Sequence, residues 1–290
     1  MTREPPSEYL ERSGWRFVFP EPALGGQSRE RLVEVVLDAV SGRRGEPLRR
    51  SRHATSYRLE FAGEPLASNI QIVFLKVLDA PSGAAGLLKR AWRGTVVGHL
   101  VRVVASLRRK GIDAPRVLLA GYDRRAGREL VAIEGLPGRL VSYYVDRRSN
   151  TERATRREIL RALGREIARL HRLGYIHGDL TPYNVLVTSV SPPRFGFIDH
   201  ERTRRRRVLA VERHRMRNLV QLGRFDIPGL SRTDRVRVLA AYADEMGLER
   251  RRALRLVSRM LQARLNRDQV RMDSKFASGA VMEERRAGGS

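Results

Sequence analysis

The stretch His177–Val187, HGDLTPYNVLV, decides how this chain is read. Asp179 and Asn184 stand five positions apart with a proline-containing turn between them, and an apolar, strand-like run follows. Fifteen residues beyond Asn184, a second short apolar run, Phe197–Ile198, ends in Asp199. Each feature alone is ordinary: an Asp caps a helix, an Asn fills a turn, an Asp ends a strand. In this order and spacing they supply one carboxylate and one amide from a loop, and a second carboxylate from a neighbouring strand. Phosphoryl transfer needs such a set. One carboxylate must orient an attacking hydroxyl and accept its proton, and oxygen ligands must hold the magnesium that bridges nucleotide phosphates. Asp179 is therefore the candidate catalytic base, and Asn184 and Asp199 are the candidate metal ligands.

Upstream, two runs rich in β-branched and aromatic residues read as strands, Ser56–Ala62 and Asn69–Val77. The second contains Val73–Leu78, VFLKVL, in which alternation presents Lys76. Gly86–Lys110 has apolar residues at Leu88, Trp92, Val96, Leu100, Val103 and Leu107, a helical spacing ended by Gly111 and Pro115. Strands are expected at Arg116–Gly121 and Glu129–Ile133, and Leu136–Pro137–Gly138 reads as a hinge. Beyond it the chain turns helical. Thr155 and Glu158 have capping-box spacing ahead of an apolar stripe, Ile159, Leu163, Ile167 and Leu170, which stops at Gly174. Further helices are expected near 211–223, 231–246 (Ser231 and Asp234 suit a capping box) and 248–266. The expected architecture is α+β and bilobal. An N-terminal extension, 1–48, with one helix near Arg29–Val40, precedes a small β-rich lobe, 49–136. A larger helical lobe, 137–270, and a disordered tail, 271–290, follow.

The chain has no cysteine, so disulfides and thiolate metal sites are excluded. It has no apolar run of the roughly 20 residues that span a bilayer, and its start lacks the apolar core of a signal peptide. A cytoplasmic protein is expected, with contact to a membrane surface left open. The net charge of +25 favours an anionic partner. Only four of the 57 basic residues are Lys (76, 89, 110 and 275), a skew that coding bias explains as readily as function. Where Arg is the default cation, Lys76 marks a position suited to a compact ammonium, here one contacting nucleotide phosphates. No helix-turn-helix, zinc or RNP-type motif points to nucleic acid.

HGDLTPYNVLV resembles the kinase H-x-D-x-x-x-x-N loop followed by a metal-binding Asp, and VFLKVL resembles the strand that carries the kinase lysine. With KGIDAPRVLLAGYD (110–123), FIDHERTRRRR (197–207) and RNLVQLGRFD (217–226), these stretches are similar to the lipopolysaccharide core kinases, the Kdo and heptose kinase group of the protein-kinase-like superfamily. The resemblance spans about residues 50 to 245. It implies a protein-kinase-like fold that binds ATP and Mg2+ between its lobes, with Lys76 on the phosphates. It also implies transfer to a sugar hydroxyl of the lipid A–core region at the cytoplasmic face of a Gram-negative inner membrane. The acceptor is then an anionic glycan or glycolipid, and Arg204, Arg205, Arg206 and Arg207, which with Arg202 follow Asp199, are candidate acceptor-binding residues.

The chain departs from the superfamily pattern in four places. Asp199–His200–Glu201 replaces Asp-Phe-Gly, and Gly178 follows His177 where protein kinases have Arg. Arg50–Tyr57, RSRHATSY, holds no glycine where a glycine-rich loop is expected. No acidic residue occurs between Asp79 and Asp113, so the helix expected to pair with Lys76 offers His99 or Leu100 instead of Glu. Either another carboxylate positions Lys76 or the pair is absent. Two alternatives stay open at this point: an aminoglycoside or metabolite phosphotransferase on the same fold, and a catalytically weak pseudokinase acting as a basic binding protein.

Overall fold

In the computed structural model, the described residues are 9–51, 53–61, 63–67, 70–79, 95–123, 125–206, 211–223 and 227–249, with isolated helical positions at 251, 255, 258 and 262. The chain forms two compact units. One joins Met1–Gly138 to Gly196–Glu201; the other joins Arg139–Phe195 to Arg202–Ser290. The short return of Gly196–Glu201 to the first unit places Asp199 there, away in sequence from the rest of that unit.

The first unit is built on strands β1 (Tyr9–Arg12), β2 (Trp15–Val18), β3 (Pro47–Ser51), β4 (Ala54–Glu60), β5 (Ile72–Asp79), β6 (Val117–Asp123) and β7 (Arg128–Glu134), with helices α1 (Gly26–Val40) and α2 (Val96–Arg109). The strands make one antiparallel sheet in the order β1-β2-β6-β7-β5-β4-β3. Strand alternation sorts β5: Val73 and Leu75 enter a core shared with Leu32, Val33 and Val36 of α1, while Phe74 and Lys76 point to the opposite face. Of residues 1–48, expected as an extension, the described ones, 9–48, fall within this unit. Trp15 and Phe17 are buried, and β2 pairs with β6. Four-residue strands between Gly- and Pro-rich turns offer too little alternation to be recognised from sequence.

The expected helix from Gly86 is not continuous to Lys110. Thr95 is extended (φ −76°, ψ 153°) and its hydroxyl accepts from Gly98 N at 2.9 Å, so α2 starts at Val96. The Glu129 carboxylate, from β7, accepts from Val97 N at 3.2 Å, adding a second cap and a negative charge at the positive end of the helix. Val97, Leu100, Val103, Val104 and Leu107 form the buried stripe; Leu88 and Trp92 lie outside the described residues.

The second unit contains β8 (Arg139–Leu140), α3 (Val141–Val145), α4 (Arg153–Arg172), β9 (Tyr175–Ile176), β10 (Val185–Val190), most of β11 (Pro193–Phe197), β12 (Arg204–Arg205), α5 (Val211–Gly223) and α6 (Arg232–Glu245). The expected apolar stripe of α4 is buried, but its capping box is not used. The helix already begins at Arg153, with Glu152 at the cap position and no side-chain cap, so Thr155 and Glu158 lie inside its first turns. The Ser231–Asp234 box on α6 is made in both directions. Of the expected helix 248–266, Leu248 and Glu249 are not helical and beyond them only isolated positions are described; the expected tail, 271–290, lies outside the described residues.

Helices α4 and α6 cross at Gly164. A Cβ there would lie 2.3 Å from Val238 O and 2.9 Å from the Ala241 Cβ, so the close approach requires the missing side chain. Gly164→Ala is expected to destabilise the protein by about 1–3 kcal/mol, despite the better helix propensity of Ala. Urea unfolding would show an unchanged or higher midpoint if the helices could separate without loss.

Candidate active site

The loop after α4 carries Asp179 and Asn184. Its shape is set by backbone and buried polar groups, with Leu180 and Pro182 of the loop buried as well. Asn184 N donates to Thr181 O at 3.0 Å, which closes the turn. The Asn184 amide Nδ2 donates to the main-chain O of Asp179 at 2.9 Å. With Nδ2 so engaged, Oδ1 is turned away from that carbonyl and is an oxygen donor suited to a hard cation. Gly178 has φ +78°, and a Cβ on it would meet Arg202 O at 2.4 Å. Gly at this position is therefore a steric requirement of the chain that passes beside it. That chain is held by Thr203, whose hydroxyl donates to His177 O at 3.1 Å, and by pairing of β12 with β9.

Beneath the loop runs a buried polar network drawn from three helices. Asn218 Oδ1, on α5, accepts from His177 N at 3.0 Å and lies 3.2 Å from His171 Nε2, on α4. An amide oxygen is only an acceptor, so Nε2 carries the His171 proton and Nδ1 accepts from the Tyr242 hydroxyl of α6 at 3.0 Å. Asn218 Nδ2 donates to Gln221 Oε1, and Gln221 Nε2 donates to Gly178 O, both at 3.1 Å. The network thus grips the main chain at His177 and Gly178, next to Asp179. Burial pushes the His171 imidazolium down to about 4, with Arg215 and His177 adding to the shift against the Asn218 bond. Burial also pushes the Tyr242 phenol up.

The first unit holds Lys76 and Asp199. Phe197 N donates to Asp113 O at 2.9 Å, and a His200 ring nitrogen lies 2.8 Å from Phe197 O. Asp199 itself is exposed and has φ +64°, a left-handed conformation uncommon for a residue with a side chain. Strain of this kind concentrates where a side chain must be aimed. Lys76 Nζ pairs with Glu201 Oε1, both side chains partly buried. The carboxylate that sequence could not place for Lys76 therefore lies two residues after Asp199.

Residues 87–242, more than half of the chain, match the family described as Lipopolysaccharide kinase (Kdo/WaaP). The chain belongs to this lipopolysaccharide kinase family. It is 40% identical over 77 residues to the O-antigen chain terminator bifunctional methyltransferase/kinase WbdD of Escherichia coli, covering 27% of this chain and 10% of that protein. It is 29% identical over 98 residues to the "Probable serine/threonine-protein kinase BUD32 homolog" of Archaeoglobus fulgidus, covering 34% of this chain and 40% of that protein. The chain therefore aligns with less than half the length of either relative. A crystal structure of Rad53 with AMP-PNP is more distantly similar, with TM-score 0.36 and 20% identity over 53% of this chain and 36% of that one.

Two stretches that carried the family resemblance acquire a structural account. RNLVQLGRFD contains Asn218 and Gln221, the residues that hold the Asp179 loop. FIDHERTRRRR contains both the Asp199 turn and β12, where Arg204 pairs with Ile176 and Arg205 with Tyr175. Arg202, Arg204, Arg205 and Arg206 are exposed, and Arg207 lies outside the described residues. Sequence reasoning missed His171, Asn218, Gln221 and Tyr242 as support for the site. The only signal was the presence of polar residues on otherwise buried helix faces.

Taken one by one, the candidate residues have chemistry that suits a magnesium nucleotide. Asp199, in the first unit, is an exposed carboxylate and Asn184, in the second, offers an amide oxygen, and Mg2+ is commonly held by one or two such hard oxygen donors together with substrate phosphates. The Lys76 ammonium is a compact cation of the kind that contacts phosphates. Bound magnesium would supply charge neutralisation on the transferred phosphoryl group.

Proposed function

We propose that this chain is an ATP-dependent kinase that phosphorylates a sugar hydroxyl in the lipid A–core region of lipopolysaccharide. The observation that carries the reading is the fixed Asp179–Asn184 loop in a member of a lipopolysaccharide kinase family. Asp179 would accept the proton of the attacking hydroxyl, Asn184 and Asp199 would hold Mg2+, and Lys76 would bind the ATP phosphates. The pseudokinase alternative rested on the missing partner of Lys76, and the Glu201 carboxylate beside Lys76 supports the active-kinase reading instead.

The acceptor is an anionic glycolipid met at the inner-membrane surface. Arg204, Arg205 and Arg206 support this, since exposed guanidinium groups bind phosphate and carboxylate in bidentate fashion. Among the described residues no helix is long and apolar enough to cross a membrane, so contact with the bilayer would be made from its surface. Each cation held near an acidic leaflet adds about 1 kcal/mol of attraction. The test is steady-state phosphorylation of a lipid A–core fraction by the wild type and by a variant with Arg204 to Arg207 replaced by Gln. The variant is expected to show a raised acceptor KM, a weaker salt response and an unchanged KM for ATP. Identical acceptor and salt dependence would remove the argument for an anionic acceptor. Absence of any acceptor-dependent ATP turnover by the wild type would overturn the kinase reading itself.

A further inference from the structure

Helix α2 carries no acidic residue, and none occurs from 80 to 112. Lys76 nevertheless faces a carboxylate, that of Glu201, across 125 positions of sequence. We infer that Glu201 is the positioning residue for Lys76, in place of a helix-borne glutamate; the inference rests on the kinase reading above. Neighbouring acids of the same unit have other duties. Glu129 caps α2, Glu134 binds Arg116 at 2.6 Å, and Asp123 binds Arg128 at 3.0 Å. Glu201 stands on a turn that is anchored at its base. Asp113 anchors Phe197, and His200, only 2% exposed, closes back onto the Phe197 carbonyl.

The geometry matters because a lysine stem has four rotatable bonds, and an ammonium on a strand does not by itself point in one direction. A carboxylate held on a rigid turn restricts it. The pair is partly buried, with side chains 31% and 25% exposed, so solvent screens it less than a surface pair. The same turn presents Asp199. One short segment therefore aims both the phosphate-binding lysine and a metal-binding carboxylate. No inward swing of a helix is needed to complete the Lys76 pair, so a control that works by moving α2 toward or away from Lys76 is not available to this chain.

The test is a double-mutant cycle with Lys76→Met and Glu201→Gln, read in two ways. In urea unfolding of the protein without nucleotide, the two substitutions should be coupled by about threefold or more in the unfolding constant. In turnover, Glu201→Gln should lower kcat/KM for MgATP by about 10–100-fold, the cost of misplacing one catalytic group. In the Lys76→Met background the same substitution should add little, and Glu201→Asp should recover part of the loss. The Mg2+ concentration for half-maximal rate should stay that of the wild type. Equal effects of Glu201→Gln in both backgrounds, or a defect relieved by raising Mg2+, would overturn the inference and make Glu201 a metal ligand or a structural residue. If the wild type binds and turns over no MgATP, the kinase reading fails. The unfolding cycle then still decides the pair, and an absence of coupling there overturns it.

Discussion

Asp179→Ala is expected to lower kcat by about 10²–10⁴-fold, the range contributed by a positioned general base, while the Kd for MgATP stays close to that of the wild type. The structure makes this substitution unusually clean. Asn184 is tied to the main-chain oxygen of Asp179, not to its carboxylate, and an Ala at 179 keeps that oxygen. Gly178 and His177 remain gripped by Gln221 and Asn218. The loop should therefore hold its shape, and only the carboxylate proposed to meet the acceptor hydroxyl is lost. An interaction made with the acceptor in the transition state appears in kcat rather than in nucleotide affinity. Calorimetric titration with MgATP, beside single-turnover phosphorylation of lipid A–core, separates the two. Equal loss of both would show that Asp179 supports the fold of the loop and does not serve as the base.

Stability is expected to fall steeply as pH drops from about 6.5 to about 4, because His171 is folded in its neutral form. Its imidazolium is pushed down to about 4 by burial, from an ordinary value of 6.5. The sign follows from proton counting. Between these values the unfolded chain binds a proton at His171 that the folded chain does not, so acid favours unfolding and stability rises with pH across the window. The difference corresponds to about 3 kcal/mol in full, at about 1.4 kcal/mol per pH unit. That is a large part of the roughly 5–15 kcal/mol that separates folded from unfolded domains. The residue responsible sits in the network beneath the Asp179 loop, so partial acidification should loosen the catalytic loop before the rest of the unit. Urea unfolding at steps of half a pH unit measures the slope, and the NMR titration of the His171 ring assigns it. A His171 ring that titrates near 6.5 in the folded protein would show that the network tolerates the charged form.

The periodic and the local were legible in the chain, and the reasons are physical. Asp179 and Asn184 stand out as candidates by their spacing, and a five-residue separation is short enough for the fold to hold them in one hydrogen-bonded loop. Asp199 follows because it ends the next strand-like run. Lys76 stands out because alternation in β5 aims it away from the core and because Lys is scarce in an Arg-rich chain. The α+β make-up followed from strand-like runs concentrated before Pro137 and helical spacing that dominates after it. The stripe of α4 and the Ser231–Asp234 box were read in the same way.

Helix starts were less legible, since a capping sequence is only an offer. Thr155 and Glu158 have the right spacing, yet α4 extends past them to Arg153. Arg156, one residue beyond Thr155, instead binds Asp234 at 2.6 Å. Thr95 ends what reads as one long helical stripe, because the Glu129 carboxylate waits at that point to receive Val97 N. Neither choice has a signal within the helix concerned.

Contacts between distant positions belong to the tertiary structure alone. Nothing near Lys76 in sequence foretells Glu201, because the two meet only when Gly196–Glu201 returns to the first unit. Nothing in His171 distinguishes a core histidine from a support of the active loop until Asn218 and Tyr242 close on its two nitrogens. Gly178 is read from sequence as the loss of an arginine, but folded it is the space through which Arg202 passes. Local chemistry and period are written along the chain and survive without a fold. A pairing across 40 or more residues leaves no periodic trace, and exists only once packing has brought the two ends together.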